Sequence, residues 1–145
     1  MQSYIYDFEK SPTFFKKLNK EFDIECTGVN CFYIVLVDDI CQDNIEDCIN
    51  SDGQLLYDDV THTKKASCVL KYNDIDKDTA QIVLDGDVTF NLGANMFPLK
   101  GAFLVNDNGY VLGYSIETTS FNVTNQMIFE DGLIFWDITE GERHV

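Results

Sequence analysis

From about residue 54 onward, apolar residues recur at every second position, and that period constrains the fold more than any other feature of the chain. A period of two puts alternate side chains on opposite faces of a pleated strand. Ala66, Cys68, Leu70 and Tyr72 alternate with Ser67, Val69 and Lys71, and Val88, Phe90 and Leu92 alternate with Thr89 and Asn91. Two apolar runs, Leu99 to Val105 and Tyr110 to Ile116, flank Asn106-Asp107-Asn108-Gly109. Asn, Asp and Gly accept left-handed backbone angles cheaply, so the stretch reads as a hairpin turn. Tyr110, Leu112, Tyr114 and Ile116 are expected to share one face of the second strand, opposite the small Gly113 and Ser115. Phe121 and Val123 belong to a further strand, and Met127 to Phe129 runs into a turn at Glu130-Asp131-Gly132. Leu133 to Ile138 is expected to leave that turn as its hairpin partner. Strands at this spacing predict an antiparallel β-sandwich or barrel-like region.

Residues 1–60 have a mixed character. Ser11-Pro12 is a good helix start, and Phe14, Phe15, Leu18 and Phe22 follow at helical spacing, with Lys16, Lys17 and Lys20 mostly elsewhere on the wheel. Cys31 to Val37 is continuously apolar and rich in β-branched and aromatic residues, which predicts a buried strand. Asp43 or Asn44 can cap a short second helix that puts Ile45, Cys48 and Ile49 on one face before Gly53 ends it. The fold class is therefore α+β and mainly β, with one or two short N-terminal helices. A chain of 145 residues with 45% apolar content is long and apolar enough for one folded domain, with a mixed region over 1–60 and an antiparallel region over 61–140.

Charge narrows the class of partner. The formal net charge is −15, yet residues 1–20 carry four lysines against Asp7 and Glu9, so the acidity belongs to the rest of the chain. Such a body repels phosphate backbones, which argues against direct nucleic-acid binding and for a partner with a basic surface. MQSYIYDFEK does not read as a signal peptide, and the run Cys31 to Val37 is too short to cross a bilayer. The five cysteines at 26, 31, 41, 48 and 68 contain no Cys-x-x-Cys pair and are expected to be reduced, buried small hydrophobes of a cytoplasmic protein.

Chemistry-bearing motifs are sparse. Asp74-Ile75-Asp76-Lys77-Asp78 spaces carboxylates as a calcium loop does, but Thr79 and Asp85 stand where the bend-forming Gly and the bidentate Glu belong. Gln81 to Leu84 also reads as a strand where an exit helix is needed. Cys26-x4-Cys31 and Cys41-x6-Cys48, with His62 as a further ligand, lack the tight knuckles of zinc sites. His62 and His144 are the two candidate bases, His62 reading as a surface residue and His144 as part of the chain end. No Gly-x-Ser-x-Gly elbow or Gly-rich phosphate loop occurs. The expectation is no enzyme, no cofactor and no metal site.

The order of segments over about residues 85–138 does carry a resemblance. It runs Asp85-Gly86-Asp87-Val88-Thr89-Phe90, then Leu99 through Val105, then Asn108-Gly109-Tyr110-Val111-Leu112-Gly113-Tyr114, then Phe121 through Phe135. This resembles small β-rich structural proteins of tailed bacteriophages, regarded as auxiliary or decoration proteins of the capsid. Asn125-Gln126 stands where those proteins usually have a Gly-Asp turn. The resemblance implies a non-enzymatic virion component, assembled in the host cytoplasm, whose partner is the major capsid protein or another virion protein, or a second copy of itself. The rival readings are a tail- or portal-associated protein and an acidic host-interacting phage protein. Aromatic residues favour interface centres, and the alternation along Leu133 to Ile138 sends some of them outward. The expected interface residues are Tyr110, Tyr114, Phe129, Phe135 and Trp136, with Phe14, Phe15, Lys16 and Lys17 of the N-terminal helix; no membrane contact is expected.

Overall fold

A computed structural model describes residues 8–10, 32–57, 62–72, 79–106 and 109–139. Eight strands run in chain order: β1 (Glu9–Lys10), β2 (Phe32–Val37), β3 (Thr63–Ala66), β4 (Cys68–Tyr72), β5 (Thr79–Leu84), β6 (Val88–Asn106), β7 (Val111–Phe129) and β8 (Ile134–Thr139). They form one five-stranded sheet, β1-β7-β6-β2-β3, and one three-stranded sheet, β4-β5-β8. Every pairing is antiparallel. β1 and β2 come from the first 60 residues yet lie in the same sheet as β6 and β7.

β2 explains its own composition. It lies between β6 and β3, paired from Phe32 with Asn106 to Val37 with Gly101 on one side. Phe32, Ile34 and Leu36 enter a core shared with Ile82, Leu84 and Phe135 of the smaller sheet, whereas Val35 and Val37 enter a second core beneath residues 38–57. Both faces of this strand are covered, which is why its sequence is continuously apolar and does not alternate.

A one-residue bulge decides which side chains of β7 go to which core. Val105 pairs with Val111 but Leu104 pairs with Gly113, so Leu112 is the extra residue. A slip of one position moves every following side chain to the opposite face. Tyr110 and Leu112 accordingly pack with the core between the sheets, and Tyr114 and Ile116 with the second core. The four residues expected on one face are divided between two.

β6 and β7 each contain 19 residues. Drawn straight, such a strand would run roughly 60 Å, longer than the roughly 40 Å width of a compact domain of this size. The ladder is interrupted instead: Gly93 pairs with Asn125, Phe97 with Val123, and Leu99 with Phe121 before Gly101 pairs with Ile116. At the first interruption both partners have left-handed backbones, Gly93 at φ 76 and Asn125 at φ 66, a conformation that Gly and Asn tolerate best. Asn125 thus serves a strand irregularity within β7. Phe90, Met127 and Phe129 of the outer arm and Ala102 and Leu104 of the inner arm all reach the same core. Phe8 contributes from just before β1, edge-on to Phe135 with ring centroids 5.2 Å apart, and Phe90 lies edge-on to Phe129 at 6.0 Å.

The chain changes sheets at three neighbouring points. Ser67 alone separates β3 from β4, so the alternating run from Ala66 to Tyr72 is divided between two sheets. The amide of Asp85 donates to the Ser67 carbonyl, and that of Gly132 to the Leu84 carbonyl. The carboxylate of Asp131 accepts from the Gly86 amide at 2.8 Å, while the Asp131 amide donates to the Asp87 carboxylate at 2.7 Å. These bonds steer the chain after Glu130 away from β7, so β8 is the partner of β5 and not of β7 as expected.

The helical expectations fare differently from the strands. The first expected helix, from Ser11 to Phe22, lies outside the described residues. The second is reduced to a 3-10 turn, Ile45–Asp47. Neither expected cap acts as one: Asp43 pairs with Lys100 at 2.6 Å, and Asn44 makes no side-chain cap bond. Since Phe129 is fully buried, Phe129→Ala should lower stability by roughly 3–5 kcal/mol. Met96→Ala, at an exposed position, should stay within roughly 0.5 kcal/mol, both read from urea unfolding midpoints.

Candidate functional site

Residues 38–57 form a lid over the outer face of the five-stranded sheet. Cys41, Ile45 and Cys48 point inward onto Val35, Val37, Phe103, Val105 and Val111, and Ile49, Leu55 and Tyr57 close the rim. The lid holds little regular structure, so its attachments are specific contacts. The Leu55 amide donates to the Gly109 carbonyl and the Val111 amide to the Gly53 carbonyl, which covers part of the free edge of β7; β1 covers the adjoining part at Gly113 and Tyr114. The Tyr57 hydroxyl accepts from the Gln42 amide at 2.9 Å and donates to the Ile40 carbonyl at 3.4 Å, and its ring stacks on Phe103. The Lys100 ammonium holds Asp43, and that bond raises the pKa of the lysine.

At the centre of the lid the Cys41 and Cys48 sulfurs are 3.9 Å apart. Both are free thiols. Cys48 donates to the Asn44 carbonyl at 3.3 Å, and Cys41 to the Gln42 carbonyl at 3.4 Å. Gly101 lies directly below, where an added Cβ would stand 3.4 Å from the Cys41 sulfur and 3.2 Å from the Phe103 ring. Burial, reinforced by the neighbouring Cys48, pushes the Cys41 thiol from its ordinary 9.0 up to about 12. Burial raises Cys48 as well. Thiols in this state are protonated at neutral pH and weak as nucleophiles.

The outer surface of the lid has a different chemistry. Its twenty residues include six acids (Asp38, Asp39, Asp43, Glu46, Asp47 and Asp52) and neither Lys nor Arg. Among them Ile40 is 65% exposed and Leu56 59% exposed. Each adjoins the Tyr57 anchor, Ile40 through its carbonyl and Leu56 through the chain.

Of the residues expected at an interface, two are buried, two are half-buried, and the side chains of the others are not described. Phe129 and Phe135 are buried in the core between the sheets, so they offer no surface; Ile134, beside Phe135, is the exposed residue of that strand end. Tyr110 and Tyr114 are half-buried against the two cores, since the bulge turns them to opposite faces. Trp136 pairs through its backbone with Ile82. Phe14, Phe15, Lys16 and Lys17 lie outside the described residues, as do Asp74 to Asp78 and His144. The acidic stretch joins β4 to β5, and the expected strand over Gln81 to Leu84 follows it. His62, expected at the surface, is half-buried, with its ring 4.3 Å from that of Phe97, centroid to centroid. Among the described residues, no group of three or more His, Cys, Asp or Glu is placed to hold a metal ion. No described helix is long and apolar enough to cross a membrane. Sequence reasoning placed Cys48 inward but missed its contact with Cys41. The acid-rich composition of 38–57 was the available signal for the lid.

Comparison with known proteins gives no matching family model, no matching curated protein and no matching solved structure.

The Cys41 proton is held more tightly in the folded chain than in the unfolded one. Its stabilising contribution is therefore complete below about pH 9 and lost as pH rises toward about 12. Over that interval the native protein should lose more stability than a Cys41→Ala variant, with the difference read from urea midpoints at successive pH values.

Proposed function

We propose that this chain is a non-enzymatic structural component of a tailed-bacteriophage virion, an auxiliary protein bound to the outside of the major capsid protein lattice. The observation that carries the docking surface is the exposed pair Ile40 and Leu56, set in a lid with six acids and no base. An apolar contact surrounded by one sign of charge suits a partner with an apolar recess and a basic rim, where the acids steer encounter and the apolar groups supply affinity. The segment order over residues 85–138, similar to that of phage auxiliary capsid proteins, supports the location. The core positions of Phe129 and Phe135 move the proposed contact away from those aromatics and onto the lid.

Quantitative mass spectrometry of purified particles tests the placement. A copy number matching that of the major capsid protein, or a simple fraction of it, is expected. A small ring-sized number would replace this reading with the tail- or portal-associated one, and absence from particles would leave the acidic host-interacting one. On the docking surface, Ile40→Asp together with Leu56→Asp should weaken capsid binding by at least about tenfold without changing the urea midpoint appreciably. Wild-type binding should also weaken as salt is raised, because exposed charges are screened.

A further inference from the structure

We infer that Cys41 and Cys48 are a redox-responsive pair, which a disulfide oxidant such as oxidised glutathione converts into an intramolecular disulfide that fastens the lid over the second core. This inference stands independently of the partner. The sulfurs are already in contact at 3.9 Å, and forming a disulfide of roughly 2.0 Å brings them together by roughly 2 Å. Gly101 beneath them presents no side chain that would resist it. Oxidation removes S–H donors only from the edge of the core. The carbonyls that lose their S–H donors, those of Gln42 and Asn44, are only part-buried and belong to exposed residues.

The lid is a segment on which such a bond has an effect. Over 38–57 regular structure is limited to the 3-10 turn and two isolated bridges, Ile49 with Leu55 and Gln54 with Tyr110. Its six acids repel one another with no base among them. The lid is held by turn and loop bonds instead of a strand ladder, and segments held in that way open at lower free energy than core strands. A bond between Cys41 and Cys48 ties the entry of the lid to its middle and removes part of that freedom.

The chemistry balances in two exchanges. Because the thiols are 2% and 0% exposed, the lid must open before either can react. One thiol then loses its proton and attacks the oxidant's disulfide, giving a mixed disulfide and releasing one glutathione thiolate, which takes up a proton. The second cysteine thiolate attacks the protein sulfur of the mixed disulfide, forms the Cys41–Cys48 bond and expels the second glutathione. Two electrons and two protons pass from the cysteine pair to two molecules of glutathione.

The full chain, incubated with oxidised glutathione, alkylated and then cleaved at Glu46 and Asp47, should yield peptides joined through Cys41 and Cys48. Dithiothreitol should separate them. Cys48→Ser should instead retain glutathione on Cys41. In the oxidised wild type, amide hydrogen exchange between residues 42 and 57 should slow by about tenfold while exchange in β6 stays unchanged. A wild-type protein that keeps both thiols alkylatable under these conditions overturns the inference. So does one that joins them only in denaturant, and neither result depends on a variant folding.

Discussion

The pairing of β2 with β6 puts a continuously apolar strand inside a sheet, away from its edges, and the remaining structure is arranged around covering both of its faces. Phe32, Ile34 and Leu36 face one way and Val35 and Val37 the other. Exposing either set would forfeit the burial of several large side chains, each worth about 1.5–3 kcal/mol. The three-stranded sheet covers the first face. A lid with almost no regular structure covers the second, and specific bonds from Tyr57, Gly53, Leu55 and Asp43 hold it there.

This division explains why the two layers differ in chemistry. The core between the sheets is built from strand residues and closely packed aromatics, with Phe8, Phe90, Phe129 and Phe135 in edge-on or tilted contact. Its side chains are fixed by two sheets at once. The lid lies over a sheet face on one side only, and its outward residues are free to carry charge. Acidic and exposed apolar residues therefore collect there, as does the thiol pair, whose burial depends on the lid remaining closed.

The acidic turns have a local role that charge alone would not reveal. Asp87 and Asp131 accept backbone donors of each other's turn, so two carboxylates that look like surface charge direct how the chain passes from one sheet to the other. Asp43 holds Lys100 against the lid where a helix cap was expected. In both places a short polar side chain finds a distant partner, whereas sequence rules assign it a near one.

Apolar periodicity and turn residues by themselves determined that the chain is mostly antiparallel strands, that Phe32 to Val37 is a strand covered on both faces, and that the strands on either side of residues 106–109 pair as a hairpin. Each of these depends on neighbours in sequence: period two for half-covered strands, continuous apolarity for a doubly covered one, and turn residues with inexpensive left-handed angles. Only the tertiary structure decided which face each residue joins. The extra residue Leu112 sends Tyr110 and Tyr114 to different cores, Ser67 divides one alternating run between two sheets, and the turn after Glu130 gives β8 to β5. A bulge or a change of sheet leaves the composition of the strand unchanged, because its cost and benefit depend on the partner strand. For the same reason Cys41 and Cys48 read in sequence as separate buried residues, and the fold of the lid alone brings their sulfurs together.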